Sequence, residues 1–177
     1  NHRNQENKLT QIMEIKSDQM QEQISCYLAE CTKFELSHNS SKSAAAMLRL
    51  TNELESIGDS VLNLFIQLER IKNKLSFNNE MNLEVLKLDK LVKEFLHWNH
   101  SFIQNNISYV NDNDLVKSID FEERIDCLRN ELLDSSKNRL SKGSEAKAEL
   151  LFMDLVKHLE HIGDYSLNIS QALNQIK

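Results

Sequence analysis

The 177-residue chain has no proline and only three glycines, so it lacks the punctuation that an all-β or α/β chain of this length needs at its tight turns. Long helices follow. Cys26, Cys31 and Cys127 are odd in number and lack C-x-x-C spacing, so reduced, half-buried thiols of a cytosolic protein are expected rather than a disulfide framework. The longest apolar runs are a few residues, far short of the roughly 20 that span a bilayer, and no charged-then-apolar leader opens the chain. Basic residues are in deficit, 21 against 27 acidic for a formal charge of −6. That balance argues against nucleic acid as a partner and suits attraction of cations. There is no Ser/His/Asp order, glycine-rich phosphate loop or H-E-x-x-H to support hydrolase, kinase or protease chemistry.

What is present is helical periodicity. Leu50, Leu54, Ile57, Val61, Leu64, Leu68, Ile71 and Leu75 step by four and three alternately, the seam of a helix packed in a bundle. Leu155, Leu159, Ile162, Ile169, Leu173 and Ile176 repeat the pattern, with Ser166 in the one seam position that is not apolar. Two more helices follow Met13, Ser17, Met20, Ile24, Tyr27, Cys31 and Phe34, and Phe121, Ile125, Leu128 and Leu132. A fifth runs from about Asn82 to Gln104, with Val85, Leu88, Val92, Phe95 and Phe102 on its core face and Trp98 beside them. Connections are expected at Ser37–Ser43, Ser76–Asn79, Asn105–Asn113 and Ser141–Ser144, each short enough to give antiparallel neighbours. The fold class is all-α, a duplicated antiparallel helical bundle.

The duplication is legible residue by residue. Leu54-Glu55-Ser56-Ile57-Gly58-Asp59 and Asn63 recur as Leu159-Glu160-His161-Ile162-Gly163-Asp164 and Asn168 at an offset of 105, and Glu14 to Asp18 aligns with Glu122 to Asp126 at an offset of 108. Repeat one spans residues 1–75 and repeat two 76–177; only repeat two has a helix ahead of its aligned pair. The missing helix of repeat one is expected in upstream sequence or from a partner molecule, because two helices alone leave apolar faces wet. The start at Asn1, without an initiator methionine, fits a piece of something longer.

In heptad terms Glu55, Asp59 and Asn63, and Glu160, Asp164 and Asn168, fall on an outward face. Two carboxylates a turn apart repel by a few tenths of a kcal/mol, and a mid-helix glycine costs about 1 kcal/mol against alanine. Both penalties occur twice. Close approach at Gly58 and Gly163 and cation binding by paired hard oxygen donors would offset them. Glu14 with Asp18, and Glu122 with Asp126, lie beside the seams, so four carboxylates per repeat are expected to converge.

Leu-Glu-x-Ile-Gly-Asp-x-x-x-Asn followed by an apolar residue resembles the signature of PhoU proteins, whose last helix reads close to LERIGDHAVNIAE; Leu159 to Ile169 is the closer copy. The resemblance implies two three-helix bundles and covers nearly the whole chain apart from the first helix of repeat one. It also implies metal clusters of the iron, zinc or manganese class on Glu55, Asp59, Glu160 and Asp164, with Glu14, Asp18, Glu122 and Asp126 as neighbours. The family's arginine after the Glu is Ser56 and His161 here, and its histidine after the Asp is Ser60 and Tyr165, so the outer contacts differ. PhoU-like domains are free cytosolic regulators of phosphate uptake or cytosolic tails of sodium/phosphate cotransporters, and the tail is the better fit. The implied role is regulation through contacts with membrane partners, not an enzyme that turns over a small-molecule substrate. The implied setting is the cytoplasmic face of the membrane, with a transporter segment of the same chain or a phosphate-transport complex as partner; self-association into a homo-oligomer is expected besides.

Two other readings compete. Glu94 to His97 has the Glu-x-x-His spacing of ferritin-like di-iron enzymes, but the second such pair, Glu35 to His38, runs into a loop. A plain helical adaptor explains the seams and leaves both glycines unexplained. His97 with His100, and His158 with His161, are spaced for zinc or nickel and are expected to be surface residues.

Overall fold

The computed structural model describes residues 2–74, 77–104 and 107–176, and side chains for all of these except 2–11 and 71–74. Five helices make up the described fold: α1 (His2–Cys31), α2 (His38–Lys74), α3 (Asn79–Ile103), α4 (Asp112–Ser141) and α5 (Ala146–Gln175). There is no strand among the described residues, as the missing proline and glycine imply. Ile71 lies outside the described side chains, and Leu75, Ser76, Asn105 and Asn106 lie outside the described residues.

Polar residues at the helix ends act as caps more than as loops. Most of the expected connection at Ser37–Ser43 is the first turn of α2: the Ser40 amide donates to Ser37 Oγ at 3.1 Å, and the hydroxyl satisfies a backbone donor that the helix leaves free. Asn78 accepts from the Met81 amide at 2.8 Å and Asn111 from the Asp114 amide at 3.0 Å. Acidic Asp112 and Asp114 complement the N-terminal end of α4. At the other end Gly143 takes φ +91°, the left-handed conformation that lets the Ser144 amide reach back to the Arg139 carbonyl.

Helix α5 is the axis of the molecule, packing against α2, α3 and α4, whereas among the described residues α1 packs on α2 alone. The main core joins Leu88, Val92 and Phe95 of α3, Ile125, Leu128 and Leu132 of α4, and Phe152, Val156, Leu159 and Ile162 of α5. Phe95 and Phe152 are fully buried, and truncating either to alanine removes about 3–5 kcal/mol. A second cluster, Leu50, Val110, Ile169, Ala172 and Leu173, fastens α2 to the C-terminal half of α5. Trp98 packs against the main core and donates from Nε1 to Ser118 Oγ at 3.1 Å.

Buried polar groups set the register of repeat two. Asn99 Nδ2 donates to the Ser166 carbonyl at 2.7 Å, and the Ser170 hydroxyl donates to Asn99 Oδ1 at 2.7 Å. The seam serine is thus buried, its hydroxyl donating to the Ile162 carbonyl at 2.6 Å. At the far end Glu149, fully buried, accepts from Arg139 Nε, Ser136 Oγ and Ser144 Oγ at 2.8, 2.6 and 2.7 Å, while Arg139 Nη1 reaches Glu84 of α3 at 2.7 Å. Glycine 163 serves packing: a Cβ there would stand 3.0 Å from Ile125 Cδ1, so its absence lets α4 approach. At Gly58 a Cβ would meet Ser17, its Oγ at 3.5 Å and its Cβ at 4.0 Å. Cys26 and Cys127 are exposed rather than half-buried, and only Cys31 is intermediate; all three are free thiols.

Candidate functional site

The repeated acids lie where the last two helices of each repeat meet. In repeat one, carboxylate oxygens of Glu14, Asp18 and Asp59 come within 4.8 Å of one another; in repeat two, those of Glu122, Asp126 and Asp164 do the same. Each cluster takes two acids from one helix, a turn apart, and one from its neighbour, because α1 packs on α2 and α4 on α5. Three of the four expected carboxylates therefore converge in each repeat. Glu55 and Glu160 stand beside the clusters rather than in them, yet both feel the acids: Glu55 has its pKa raised by burial and then by Asp59 and Asp18.

The two clusters differ in burial and in charge. Glu14 is half-buried and Asp18 and Asp59 are exposed, whereas all three acids of repeat two are half-buried. The outward face expected for Glu160, Asp164 and Asn168 is thus closed in. Asn168 sits between helices, accepting from Arg49 Nη2 at 2.8 Å and donating to Glu53 at 3.1 Å. Its counterpart Asn63 donates only to the Asp59 carbonyl of its own helix, at 3.0 Å. Burial raises the pKa of Glu122, Glu160 and Asp164, and neighbouring carboxylates raise each further.

Arg129 is the participant that sequence reasoning missed. Its Nη2 lies 2.9 Å from Asp126 Oδ1 and 3.2 Å from Glu160 Oε1, tying α4 to α5 across the cluster. The hydrogen bond that it donates to Asp126 stabilises its charge, and its pKa is raised. His161 Nε2 lies 3.7 Å from Glu160 Oε2, and Arg129, Glu160 and His161 line a cavity of about 360 Å³ with Leu133, Met153 and Val156. The available signal was spacing: Arg129 is three residues after Asp126, on the same helical stripe. The aligned position of repeat one is Gln21, whose amide donates to Asn52 at 2.9 Å. Among the described residues no basic side chain bridges the acids of repeat one.

Hard carboxylate oxygens converging from two helices fit a multivalent cation. In repeat one the fit is open: among the described residues no basic side chain forms an ion pair with Glu14, Asp18 or Asp59. In repeat two Arg129 already supplies a cation to Asp126 and Glu160, leaving Glu122 and Asp164 less compensated. The other spacings do not assemble sites. Glu94, His97 and His100 are exposed on α3, and the rings of His158 and His161 meet edge to face with centroids 6.3 Å apart.

An all-α bundle with paired acid clusters is the class that the geometry defines. The family model of the PhoU domain matches residues 102–173, the end of α3 with α4 and α5, which supports a PhoU-like family for this chain. No curated protein and no solved structure matches it. Among the described residues no helix is long and apolar enough to cross a membrane.

Proposed function

We propose that this chain is a non-catalytic regulatory module of phosphate transport or phosphate homeostasis. It acts as the cytosolic tail of a sodium/phosphate cotransporter, at the inner face of the membrane, through contacts with its membrane partner. The match of residues 102–173 to the PhoU domain is the observation that carries this reading; the recurrence of the acid motif in repeat one extends it to the whole chain. Glu14, Asp18 and Asp59, with Glu55 beside them, would hold a metal ion of the iron, zinc or manganese class. The ion would supply positive charge that locks α1 onto α2. Repeat two, through Glu122, Asp126 and Asp164, takes metal less readily, because Arg129 occupies part of that role. A free-standing regulator of the same type is the alternative, and the chain self-associates in either setting.

Two measurements test this. Elemental analysis of protein purified without chelator is expected to show bound transition metal, lost largely in Asp59→Ala and completely in Asp59→Ala/Asp164→Ala. Unchanged metal content in the double variant removes the site assignment. Phosphate uptake measured in cells that carry the chromosomal gene, with and without the segment encoding this chain, is expected to lose its response to external phosphate when the segment is deleted. An unaltered response removes the regulatory reading.

A further inference from the structure

Repeat two carries a cation of its own. Arg129 Nη2 is shared between Asp126 Oδ1 at 2.9 Å and Glu160 Oε1 at 3.2 Å, and Asp126 is one of the three acids whose oxygens converge within 4.8 Å. A guanidinium and a metal ion therefore compete for the same carboxylate. Arg129 has few other ties. Its Nη1 donates to the exposed Asn130 at 3.1 Å, and its Nε is buried with no acceptor among the described residues, an unfavourable state for an N–H group.

The duplication shows where a side chain at this position can go. The aligned residue of repeat one, Gln21 of α1, donates to Asn52 of α2 at 2.9 Å. Asn52 in turn aligns with Lys157 at the offset of 105 that relates the acid motifs. Lys157 lines the cavity of about 360 Å³ beside Arg129, and so does Asp154, an exposed carboxylate that belongs to neither cluster. From the same place on its helix, the repeat-one side chain thus reaches the position that the cavity wall takes in repeat two.

We propose that Arg129 is a displaceable resident cation: it neutralises Asp126 and Glu160 while the cluster holds no metal ion, and swings into the cavity toward Asp154 when a divalent ion occupies the cluster. The swing releases Glu160, so the fourth carboxylate of the repeated motif becomes available to the ion. It also moves a positive charge into the groove between α4 and α5, which reports the state of the cluster on the outer surface of repeat two. This inference rests on the metal reading of repeat two given above and adds to it the movement of Arg129.

The test is calorimetric titration of manganese chloride into the full chain carrying Asp59→Ala, which removes an acid of the repeat-one cluster. Arg129→Gln, which installs the residue type found in repeat one, should tighten binding about tenfold. Asp154→Asn should weaken it about two- to fivefold, the worth of one exposed ion pair. That weakening should vanish when Asp154→Asn is combined with Arg129→Gln, because the carboxylate acts through the guanidinium. Asp154 is exposed, so its substitution should leave the circular dichroism spectrum unchanged. A weakening that persists without Arg129 is plain attraction of the ion by a nearby carboxylate and overturns the proposal. No effect of Asp154→Asn, or unchanged affinity in Arg129→Gln, overturns it as well while leaving the metal reading in place. Manganese binding in none of the variants refutes the metal reading of repeat two and the displacement with it.

Discussion

The two helical glycines invite the same substitution with opposite outcomes. Alanine in a helix interior is favoured over glycine by about 0.8–1.0 kcal/mol. At Gly58 the new Cβ meets Ser17 Oγ at 3.5 Å and Ser17 Cβ at 4.0 Å, ordinary contact, so Gly58→Ala should stabilise the fold by about 0.5–1 kcal/mol. At Gly163 the Cβ lands 3.0 Å from Ile125 Cδ1 and 3.1 Å from Ile125 Cγ2. Ile125 of α4 is buried in the core shared with α3 and α5 and has little room to yield. Overpacking of this kind costs about 1–3 kcal/mol, so Gly163→Ala should fall between neutral and about 2 kcal/mol destabilising. Urea denaturation followed at 222 nm reads the difference, and for a chain of this size each kcal/mol corresponds to about 2–4 °C in Tm. Ile125→Val, which removes Cδ1, should make the alanine at 163 better tolerated, a positive coupling in the double-mutant cycle. If Gly163→Ala stabilises as much as Gly58→Ala, the close approach of α4 to α5 is not what keeps Gly163.

Three further outcomes follow from the charged groups. Arg139→Ala strands the buried Glu149 carboxylate and should cost about 3–5 kcal/mol, measured by urea denaturation, whereas a loss below 1 kcal/mol would show that Glu149 does not depend on it. For pH, burial opposes ionisation of Glu149, but Arg139, Ser136 and Ser144 outweigh it and its pKa is lowered. Its stabilisation is therefore complete above the unfolded value of 4.5 and is lost as the pH falls through the lower folded value. Glu122, Glu160 and Asp164 run the other way. The folded state holds their protons more tightly, so stability declines as the pH rises from their unfolded values through the folded ones. Thermal melts of metal-free protein should accordingly peak at mildly acidic pH, and Glu122→Gln should raise Tm at pH 7; a melt that rises monotonically to pH 8 contradicts the cluster's self-repulsion. Finally, Arg129→Gln should strengthen manganese binding to repeat two, read by isothermal titration on an Asp59→Ala background. Unchanged affinity would mean that Arg129 does not compete with metal.

Much of this molecule is legible in linear order. The absence of proline and the four-three spacing of Leu50 to Leu68 and Leu155 to Leu173 are local, helical properties, so all five helices follow from them, with ends blurred where Ser37 and Ser40 cap instead of loop. The offset of 105 between Glu55 and Glu160 needs no coordinates either, and with it came the acids and glycines. What a one-dimensional pattern cannot carry is which neighbour each face meets. Glu160 and Asp164 fall on the outward side of their own helix, yet α4 closes over them. Arg129 enters the cluster because α4 packs against α5, and Gly163 answers to Ile125 for the same reason. Glu149 looks like an ordinary first-turn acid until Arg139, Ser136 and Ser144 surround it in three dimensions. Sequence alone thus determined the helices, the repeat and the repeated acids, because these depend on spacing along one chain. Tertiary packing decided which carboxylates converge and which are already neutralised, because those depend on distances between residues far apart in sequence.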